Sequence, residues 1–342
     1  MTAPGVWAED MAPEELTAAL PLLGRLQAPL HVGFPTDKLG VPALAQVTRR
    51  AHDHGVRVHA WLLLPTAAGY WLGTRNTAVA ATGLEALLEW RKQPGGPWLD
   101  GISFDLEPPH AVTERFRTSR GVAGIVRQLR ERLGPETHDR ARARLGHLVA
   151  RVREEGLRAH CVTYPLVLDQ QAGSTALEEA LEIPASGVDW DEISFMTYQT
   201  AFAQQMGTWF GPALVASYAQ TAVARYGERA GLDLGVVGPG GVALDAGSRY
   251  PDPASLARDV AAAVGAGIPV ERIRVYGLAG MLAEGGVERW LARCAEGWSE
   301  PRGNVAPVAP ASERRVSGLR SVVSLAARVL AHLPEPRESA SP

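Results

Sequence analysis

The chain has 342 residues, a formal net charge of −3 and a sequence pI near 6.3. Because there is no basic field to attract a polyanion, this composition argues against nucleic acid as a partner. A chain of this length buries a large core, so it accommodates either one barrel of about 250 residues or two smaller domains.

The N-terminus and the cysteines carry no targeting, metal or redox pattern. Met1–Asp10 contains acidic residues without an apolar run, and no stretch of the chain reaches about 18 apolar residues. We therefore expect no transmembrane segment and a cytoplasmic location as the sequence is written, although a misplaced start codon would hide an export signal. Cys161 and Cys294 lie far apart, which predicts two reduced, buried thiols.

Short apolar runs rich in β-branched residues alternate along the chain with polar turns and amphipathic helices. This alternation is typical of parallel β/α units. The predicted strands are Gly5–Ala8, Leu30–Pro35, Arg57–Pro65, Gly101–Pro108, Arg158–Pro165, Glu192–Thr200, Asp233–Pro239 and Arg272–Leu278. Because eight parallel strands close a barrel, the expected fold class is α/β, a (β/α)8 TIM barrel.

Helices are predicted between the strands. The first begins with a proline and two glutamates, which suits the positive end of a helix dipole. The predicted helices are Pro13–Leu26, Val41–His54, Thr82–Arg91, Val122–Leu133, His138–Glu155, Ala176–Leu181, Ala213–Tyr226, Pro253–Gly265 and Val287–Glu296. The stretch at 109–156 is longer than a minimal crossover, so we expect an insertion after the fourth strand, over the mouth of the barrel.

The predicted barrel spans residues 1–299 and is followed by three shorter segments. Residues 300–316 are rich in proline and small residues, which predicts a linker. At 317–334 apolar residues recur at helical spacing, which predicts an amphipathic helix that folds back onto the barrel; docking on a membrane or a partner is the alternative. Residues 335–342 are expected to be a disordered tail.

The fourth predicted strand carries two acids on one face. Alternation along Gly101–Pro108 places the apolar side chains on one side and Ser103, Asp105 and Glu107 on the other. Asp105 and Glu107 then lie roughly 7 Å apart, close enough for each to change the proton affinity of the other. Acids at the carboxyl end of a barrel strand are where such enzymes carry their chemistry, whereas a salt-bridged pair is the structural alternative.

Two segments resemble the family 18 glycoside hydrolases, the chitinase-like barrels. Asp100–Pro108 reads Asp-Gly-Ile-Ser-Phe-Asp-Leu-Glu-Pro and is similar to the family's fourth-strand signature, Asp-Gly-x-Asp-x-Asp-x-Glu. Asp191–Gln199 resembles the family's sixth-strand pattern, an apolar run ending in Met-x-Tyr-Asp. Both segments fall on the predicted strand of the same number, and a thin similarity extends over residues 5–295.

This resemblance implies a retaining reaction in which the N-acetyl carbonyl of the substrate attacks the anomeric carbon. Glu107 would be the general acid and then the base, Asp105 would hold the acetamide N–H, and Tyr198 would donate to the acetamide oxygen. No cofactor and no metal are implied. Alternation along the sixth strand also places Met196 and Tyr198 on one face; an ordinary tyrosine at the barrel mouth is the alternative for Tyr198.

Three positions depart from the family pattern. Ser103 replaces the middle aspartate of the fourth-strand signature, and Gln199 replaces the aspartate after the tyrosine. Gln199 can hydrogen-bond a sugar but cannot tune a proton. The eighth strand lacks the tryptophan that lies under the reactive sugar in this family, and Tyr276 is the candidate substitute. Cleavage of a glycosidic bond stays the expected function, while specificity for N-acetylglucosamine is in question.

Aromatic residues at the predicted mouth are candidate surfaces for stacking of a sugar. Trp61 and Tyr164 lie near the ends of the third and fifth strands, with core packing as the alternative for each. The complete set of expected substrate-binding residues is Ser103, Met196, Gln199, Trp61, Tyr164 and Tyr276. The expected partner is therefore a carbohydrate, and the sequence does not define the oligomeric state.

Two other functions are compatible with the same residues. A chitinase-like barrel that binds carbohydrate or a protein partner without cleavage is favoured by Ser103 and Gln199 and opposed by Glu107. A metal site built from Asp105, Glu107 and His110 is the other alternative, but no second histidine or acidic motif completes it.

Overall fold

The computed structural model describes residues 2–109, 135–238, 249–296 and 310–332. Its parallel strands form a closed barrel in chain order, from β1 to β8. The strands are β1 (Gly5–Ala8), β2 (Leu30–Pro35), β3 (Val58–Leu63), β4 (Gly101–Leu106), β5 (Arg158–Thr163), β6 (Glu192–Met196), β7 (Ala230–Gly235) and β8 (Ile273–Tyr276). The predicted (β/α)8 fold is therefore confirmed.

Helices surround the barrel and follow its strands. They are α1 (Pro13–Arg25), α2 (Pro42–Asp53), α3 (Thr77–Lys92), α4 (Pro135–Glu154), α5 (Ala176–Leu181), α6 (Gln199–Met206), α7 (Pro212–Tyr226), α8 (Pro253–Gly265), α9 (Leu278–Ala283), α10 (Val287–Glu296) and α11 (Pro310–His332). The bounds of α5, α8 and α10 are those predicted from the sequence. The predicted helix Val122–Leu133, within the expected insertion at 109–156, lies outside the described residues. No helix in the described ranges is long and apolar enough to cross a membrane.

The core lies between the strands and the helices. Phe34, Phe104 and Phe195 project outward from their strands and are fully buried under the helical layer. The outer face of these strands is apolar, whereas the inner face carries polar side chains such as Ser103 and Asp105. The strand predictions depended on this alternation.

The sixth strand ends earlier than predicted. β6 stops at Met196, and α6 begins at Gln199, inside the segment Glu192–Thr200 that was predicted to be extended. The Thr200 hydroxyl donates to the carbonyl of Gly235 at 2.7 Å. This bond attaches the start of α6 to the end of β7, so the backbone leaves the strand direction before Tyr198.

The C-terminal helix begins earlier than predicted. α11 starts at Pro310, so the end of the segment 300–316 is helical rather than a linker. Proline in the first turn and Glu313 close behind it both favour a helix start, which explains why the predicted boundary at 317 was too late. The remainder of the predicted linker up to 309 and the predicted tail at 335–342 lie outside the described residues.

One arginine anchors α11 to the barrel. Arg320 donates from Nε to Asp169 Oδ1 at 2.7 Å and from Nη1 to the carbonyl of Ser217 at 2.9 Å. Its guanidinium carbon lies 4.6 Å from the centroid of the Tyr218 ring. These contacts fold α11 back against α7 and the segment before α5.

Replacing Arg320 with methionine is expected to lower the free energy of unfolding by about 2 kcal/mol, because the nearly inaccessible Asp169 carboxylate loses its charged partner. Urea denaturation followed by circular dichroism measures this change. Arg328→Met on the same helix is the matched control, since the Arg328 side chain is exposed. An equal loss in both variants would show that Arg320 is not the anchor.

Candidate active site

Asp105, in β4, and Glu107, directly after it, lie at the carboxyl end of the strand. Leu72, in the loop after β3, pairs alongside this end of the strand. The Leu72 amide donates to the Asp105 carbonyl at 2.8 Å, and the Glu107 amide donates to the Leu72 carbonyl at 3.1 Å. These two bonds therefore fix the path of the backbone that carries Asp105 and Glu107.

Asp105 and Glu107 form a hydrogen-bonded pair that shares a proton. Asp105 is 4% exposed and Glu107 is half-buried. Burial, then the charge of Glu107, raises the pKa of Asp105 well above its usual range. Burial also raises the pKa of Glu107 to about 7, opposed by hydrogen bonds from Tyr164 and Asp105 to its carboxylate. Asp105 is therefore the protonated donor, and Glu107 exchanges its proton near neutral pH.

An aromatic and apolar cluster surrounds the acids. Its members are Trp7, Trp61, Leu63, Val162, Met196, Val236 and Tyr276, with Tyr70, Tyr164 and Tyr198 packed against them. The rings of Tyr198 and Tyr276 have centroids 6.0 Å apart, and the Trp61 ring meets Tyr276 edge-on at 6.5 Å. The cluster contains five of the predicted site residues, namely Trp61, Met196, Tyr164, Tyr198 and Tyr276. Aromatic rings of this kind suit the face of a sugar.

Gln199 does not reach this cluster. Its side chain is 1% exposed, and Nε2 donates to Asp259 Oδ2 at 3.1 Å. The same Asp259 oxygen accepts from the Tyr250 hydroxyl at 2.7 Å. Because β6 ends before Tyr198, the strand alternation that placed Gln199 near the substrate no longer applies there, and its amide is used in the outer layer.

Ser103 also lies away from the mouth, within a chain of hydrogen bonds that crosses the lumen. We call this series of hydrogen-bonded residues the lumen relay. It consists of Arg274, His31, Ser103, His160, Ser194 and Asp233. The Ser103 hydroxyl lies 3.0 Å from His31 Nδ1 and 3.1 Å from His160 Nδ1. Both hydrogen-bonding functions of this hydroxyl are therefore used, and the expected role of Ser103 in binding a substrate is not supported by its position.

The lumen relay has one direction, set by its arginine. An arginine side chain can only donate hydrogen bonds, and Arg274 Nε lies 2.8 Å from His31 Nε2, which must therefore be the acceptor. The proton of the His31 ring is then on Nδ1, which donates a hydrogen bond to Ser103. The Ser103 hydroxyl then donates a hydrogen bond to His160 Nδ1. The proton of the His160 ring is therefore on Nε2, which lies 2.8 Å from the Ser194 hydroxyl oxygen. Burial lowers the pKa of both histidines well below the usual value, so each is neutral.

Charged groups hold the two ends of the relay. Arg274 also pairs with Glu192 at 2.6 Å between Nη2 and Oε1. At the other end, Asp233 accepts from Ser194 and, at 2.8 Å, from Trp7 Nε1. Burial raises the pKa of Asp233, and its charge adds to the factors that raise the pKa of Asp105. The relay therefore acts on Asp105 through the charge of Asp233.

A third acid at the mouth was missed in the sequence analysis. Glu9 follows the last residue of β1 and accepts hydrogen bonds from Tyr70, at 2.5 Å, and from Tyr276. Its charge helps to raise the pKa values of Asp105 and Glu107. The signal was present, because an acid directly after the carboxyl end of a barrel strand obeys the same rule that selected Glu107.

The described residues offer no metal site. His110, which belonged to the alternative metal site, lies outside them. Within the described ranges no group of three or more histidine, cysteine, aspartate or glutamate residues is arranged to hold a metal ion.

The fold and the site together define a (β/α)8 barrel with a hydrogen-bonded acid pair at the carboxyl end of its strands. No protein-family model matches the sequence, and no curated protein matches it. Three solved structures are similar to this chain at low sequence identity. The PgaB (BpsB) glycoside hydrolase domain from Bordetella bronchiseptica is 13% identical over 95% of this chain and 99% of that chain, with a TM-score of 0.49.

The other two structures carry different activities in their names. A glucosidase from Croceicoccus marinus is 12% identical over 96% of this chain and 68% of that chain, with a TM-score of 0.46. An L-ribulose 3-epimerase is 16% identical over 98% of this chain and 100% of that chain, with a TM-score of 0.45. Since these scores lie below 0.5 and the named reactions differ, the similarities assign no reaction to this chain.

Tyr164→Phe is expected to raise the pKa of Glu107 from about 7, because the lost hydrogen bond stabilises the ionised carboxylate. The size of such a bond corresponds to about one pH unit. A carbon-13 NMR titration of the glutamate carboxyl groups measures the change. Tyr250→Phe, which alters a different buried carboxyl at Asp259, is the control. An unchanged or lower pKa of Glu107 would contradict the assignment of Tyr164 as its donor.

Proposed function

We propose that this chain is a retaining glycoside hydrolase that acts on an N-acetylated or related oligosaccharide or polysaccharide, as the family 18 resemblance implies. The observation that carries the proposal is the pair formed by the buried Asp105 and the half-buried Glu107, which are hydrogen-bonded to each other and lie among aromatic rings at the carboxyl end of a closed barrel. Burial raises the pKa of Glu107 to about 7, so the protonated form that an acid catalyst needs is populated near neutral pH.

In the first step Glu107 gives its proton to the glycosidic oxygen, and the bond between that oxygen and the anomeric carbon breaks. The acetamide oxygen of the substrate forms a new bond to the anomeric carbon from the opposite face. Asp105 suits the acetamide N–H, because its buried Oδ1 atom has no hydrogen-bond partner. The Tyr198 hydroxyl is the donor to the acetamide oxygen.

In the second step water attacks the anomeric carbon and displaces the acetamide oxygen. Glu107, now a carboxylate, accepts the proton of that water and returns to its starting state. Two inversions at one carbon give net retention of configuration, and no atom of the protein is consumed.

A second candidate function is binding of carbohydrate or of a protein partner without cleavage. The observation that favours it is the position of Ser103 and Gln199, which are used in the lumen relay and in the outer layer rather than at the mouth. Two polar groups that the family resemblance places near the reaction are therefore not available there.

Incubation with N-acetylated and plain oligosaccharides, followed by mass spectrometry, tests the proposal. We expect shorter products from the N-acetylated oligosaccharides, and proton NMR of fresh product should show the anomer of the starting linkage. Binding without any product would select the second function. The absence of both binding and cleavage would overturn both.

A further inference from the structure

We propose that the outward face of α11 docks on an anionic lipid surface and holds the barrel against it. The proposal goes beyond the proposed function and does not depend on it, because it uses no residue of the acid pair or of the aromatic cluster. The apolar part of this face consists of Val322, Leu325 and Val329, and we call these three residues the α11 stripe.

The first observation is that α11 carries apolar residues on two sides. Its inward side is already packed into the main core, where its buried residues are Val316, Ala327 and Leu330. The residues of the α11 stripe follow the spacing i, i+3 and i+7, which aligns them along the other side of the helix. Their exposed fractions are 46%, 58% and 41% in chain order. An aligned exposed row, unlike a single exposed residue, indicates a binding surface.

The exposed apolar surface continues beyond the helix. The start of α11 lies against the residue that precedes α7, because a Cβ atom placed on Gly211 would be 4.0 Å from Ser312 Oγ. The segment just before Gly211 exposes the large side chains of Met206 and Trp209. Together with the α11 stripe they make up five of the nine large apolar residues that are exposed in the described part of the chain. The exposed apolar surface is therefore concentrated around α11.

The second observation is unpaired positive charge along the same side of the helix. Arg315 lies seven residues before Val322, and Arg314 lies eleven residues before Leu325. Spacings of seven and eleven residues return to the same side of an α-helix, so both arginines continue the line of the stripe. Arg328 borders the stripe near its other end. All three arginines are exposed, and none of them forms an ion pair with another described residue.

The charge of α11 differs in sign from that of the chain as a whole. The helix contains four arginines and one glutamate, whereas the formal net charge of the chain is −3. The glutamate, Glu313, lines the groove between α11 and α7 rather than the stripe. Arg320 is paired with Asp169, so the three exposed arginines are the charges that a ligand can neutralise. Basic residues gathered on one helix of an acidic chain indicate an anionic partner.

A lipid surface matches this combination better than a protein does. The apolar side chains of an interfacial helix enter the boundary between headgroups and acyl chains, and neighbouring arginines reach the anionic headgroups. A second copy of this chain would bring one stripe against another, and the stripe offers no acid to pair with the arginines of that copy. A specific protein interface also relies on direct hydrogen bonds, which aliphatic side chains cannot provide.

Co-sedimentation of the whole chain with lipid vesicles tests the proposal. The vesicles contain phosphatidylcholine alone, or phosphatidylcholine with about 30% phosphatidylglycerol. We expect about 10-fold tighter binding to the anionic vesicles at about 0.1 M salt, and loss of most of this difference at about 0.5 M, because salt screens the arginines. Leu325→Glu should lower binding to the anionic vesicles by at least about 10-fold, since it places a charge at the apolar boundary.

Leu282→Glu is the matched control for the apolar contact. Leu282 is an exposed leucine on α9, so the same substitution there should leave binding to the anionic vesicles within about twofold of the wild type.

A pair of double variants tests the charge. Arg314→Gln with Arg315→Gln should lower binding to the anionic vesicles by about 10-fold. Arg25→Gln with Arg50→Gln removes the same net charge from exposed positions on α1 and α2, and should lower binding by less than about twofold. Circular dichroism checks that every variant is folded.

The outcomes decide between the possible occupants of the stripe. Equal binding to the two kinds of vesicle, binding that survives Leu325→Glu, or no binding to either vesicle overturns the proposal. Sedimentation velocity of the protein without vesicles should show the same monomer for the wild type and for Leu325→Glu. A wild-type dimer that Leu325→Glu dissociates would assign the stripe to a second copy and overturn the lipid contact. Cleavage of oligosaccharides is measured separately, so failure of either proposal leaves the other intact.

Discussion

Glu107→Gln is expected to lower kcat on a cleavable glycan by about 10³-fold, within the range that a positioned general acid contributes. The substitution keeps the size of the side chain and removes the exchangeable proton. Its effect should exceed that of any other conservative change at the mouth, because Glu107 is the one acid of the pair whose pKa of about 7 allows it to lose and regain a proton in each cycle. Steady-state release of product, followed by mass spectrometry, measures the change.

Glu85→Gln serves as the control for this experiment. Glu85 pairs with Arg151 on the surface and is half exposed, so its neutralisation should leave kcat unchanged. Retention of activity within about tenfold after Glu107→Gln would mean that another group supplies the proton.

Arg274→Met is expected to lower the free energy of unfolding by about 4 kcal/mol. Arg274 is 3% exposed and is the charged partner of Glu192, which is 6% exposed. Its loss leaves a buried carboxylate without a counter-charge and removes the donor that sets the His31 tautomer. Urea denaturation, with the unfolding curve followed by tryptophan fluorescence, measures the loss.

Arg249→Met is the matched control for Arg274. The pair Arg249 and Glu284 has side chains 50% and 44% exposed, so its loss should change the free energy of unfolding by less than about 1 kcal/mol. Similar losses in the two variants would show that the lumen relay does not depend on its arginine.

The sequence was informative where structure depends on local pattern. β1 and β2 have the predicted bounds, because strands buried on both faces read as short apolar runs between polar turns. The same alternation placed Met196 and Tyr198 on one face, and in the structure the two side chains belong to the same aromatic and apolar cluster. A period of two residues is enough to assign a face, and chain order in a parallel barrel is enough to assign neighbours.

The sequence pattern did not predict the position of a polar side chain whose hydrogen-bond partner is far away in the sequence. Ser103 bonds His31, 72 residues earlier, and Gln199 bonds Asp259, 60 residues later. Neither bond leaves a periodic trace in the sequence. The resemblance to a family signature suggested a role at the mouth for each of them, whereas long-range hydrogen bonds decide where their polar atoms are used.

Because the tautomers of His31 and His160 are fixed by their hydrogen bonds, the NMR signals of these two rings report on the barrel interior. Nitrogen-15 shifts distinguish protonated from bare imidazole nitrogens, and here opposite nitrogens of the two rings carry the proton. Ser194 connects His160 directly to Asp233. A ligand that alters the charge of Asp233 should therefore shift the His160 resonances more than those of His31. This shift would detect binding at the mouth without any cleavage of the ligand.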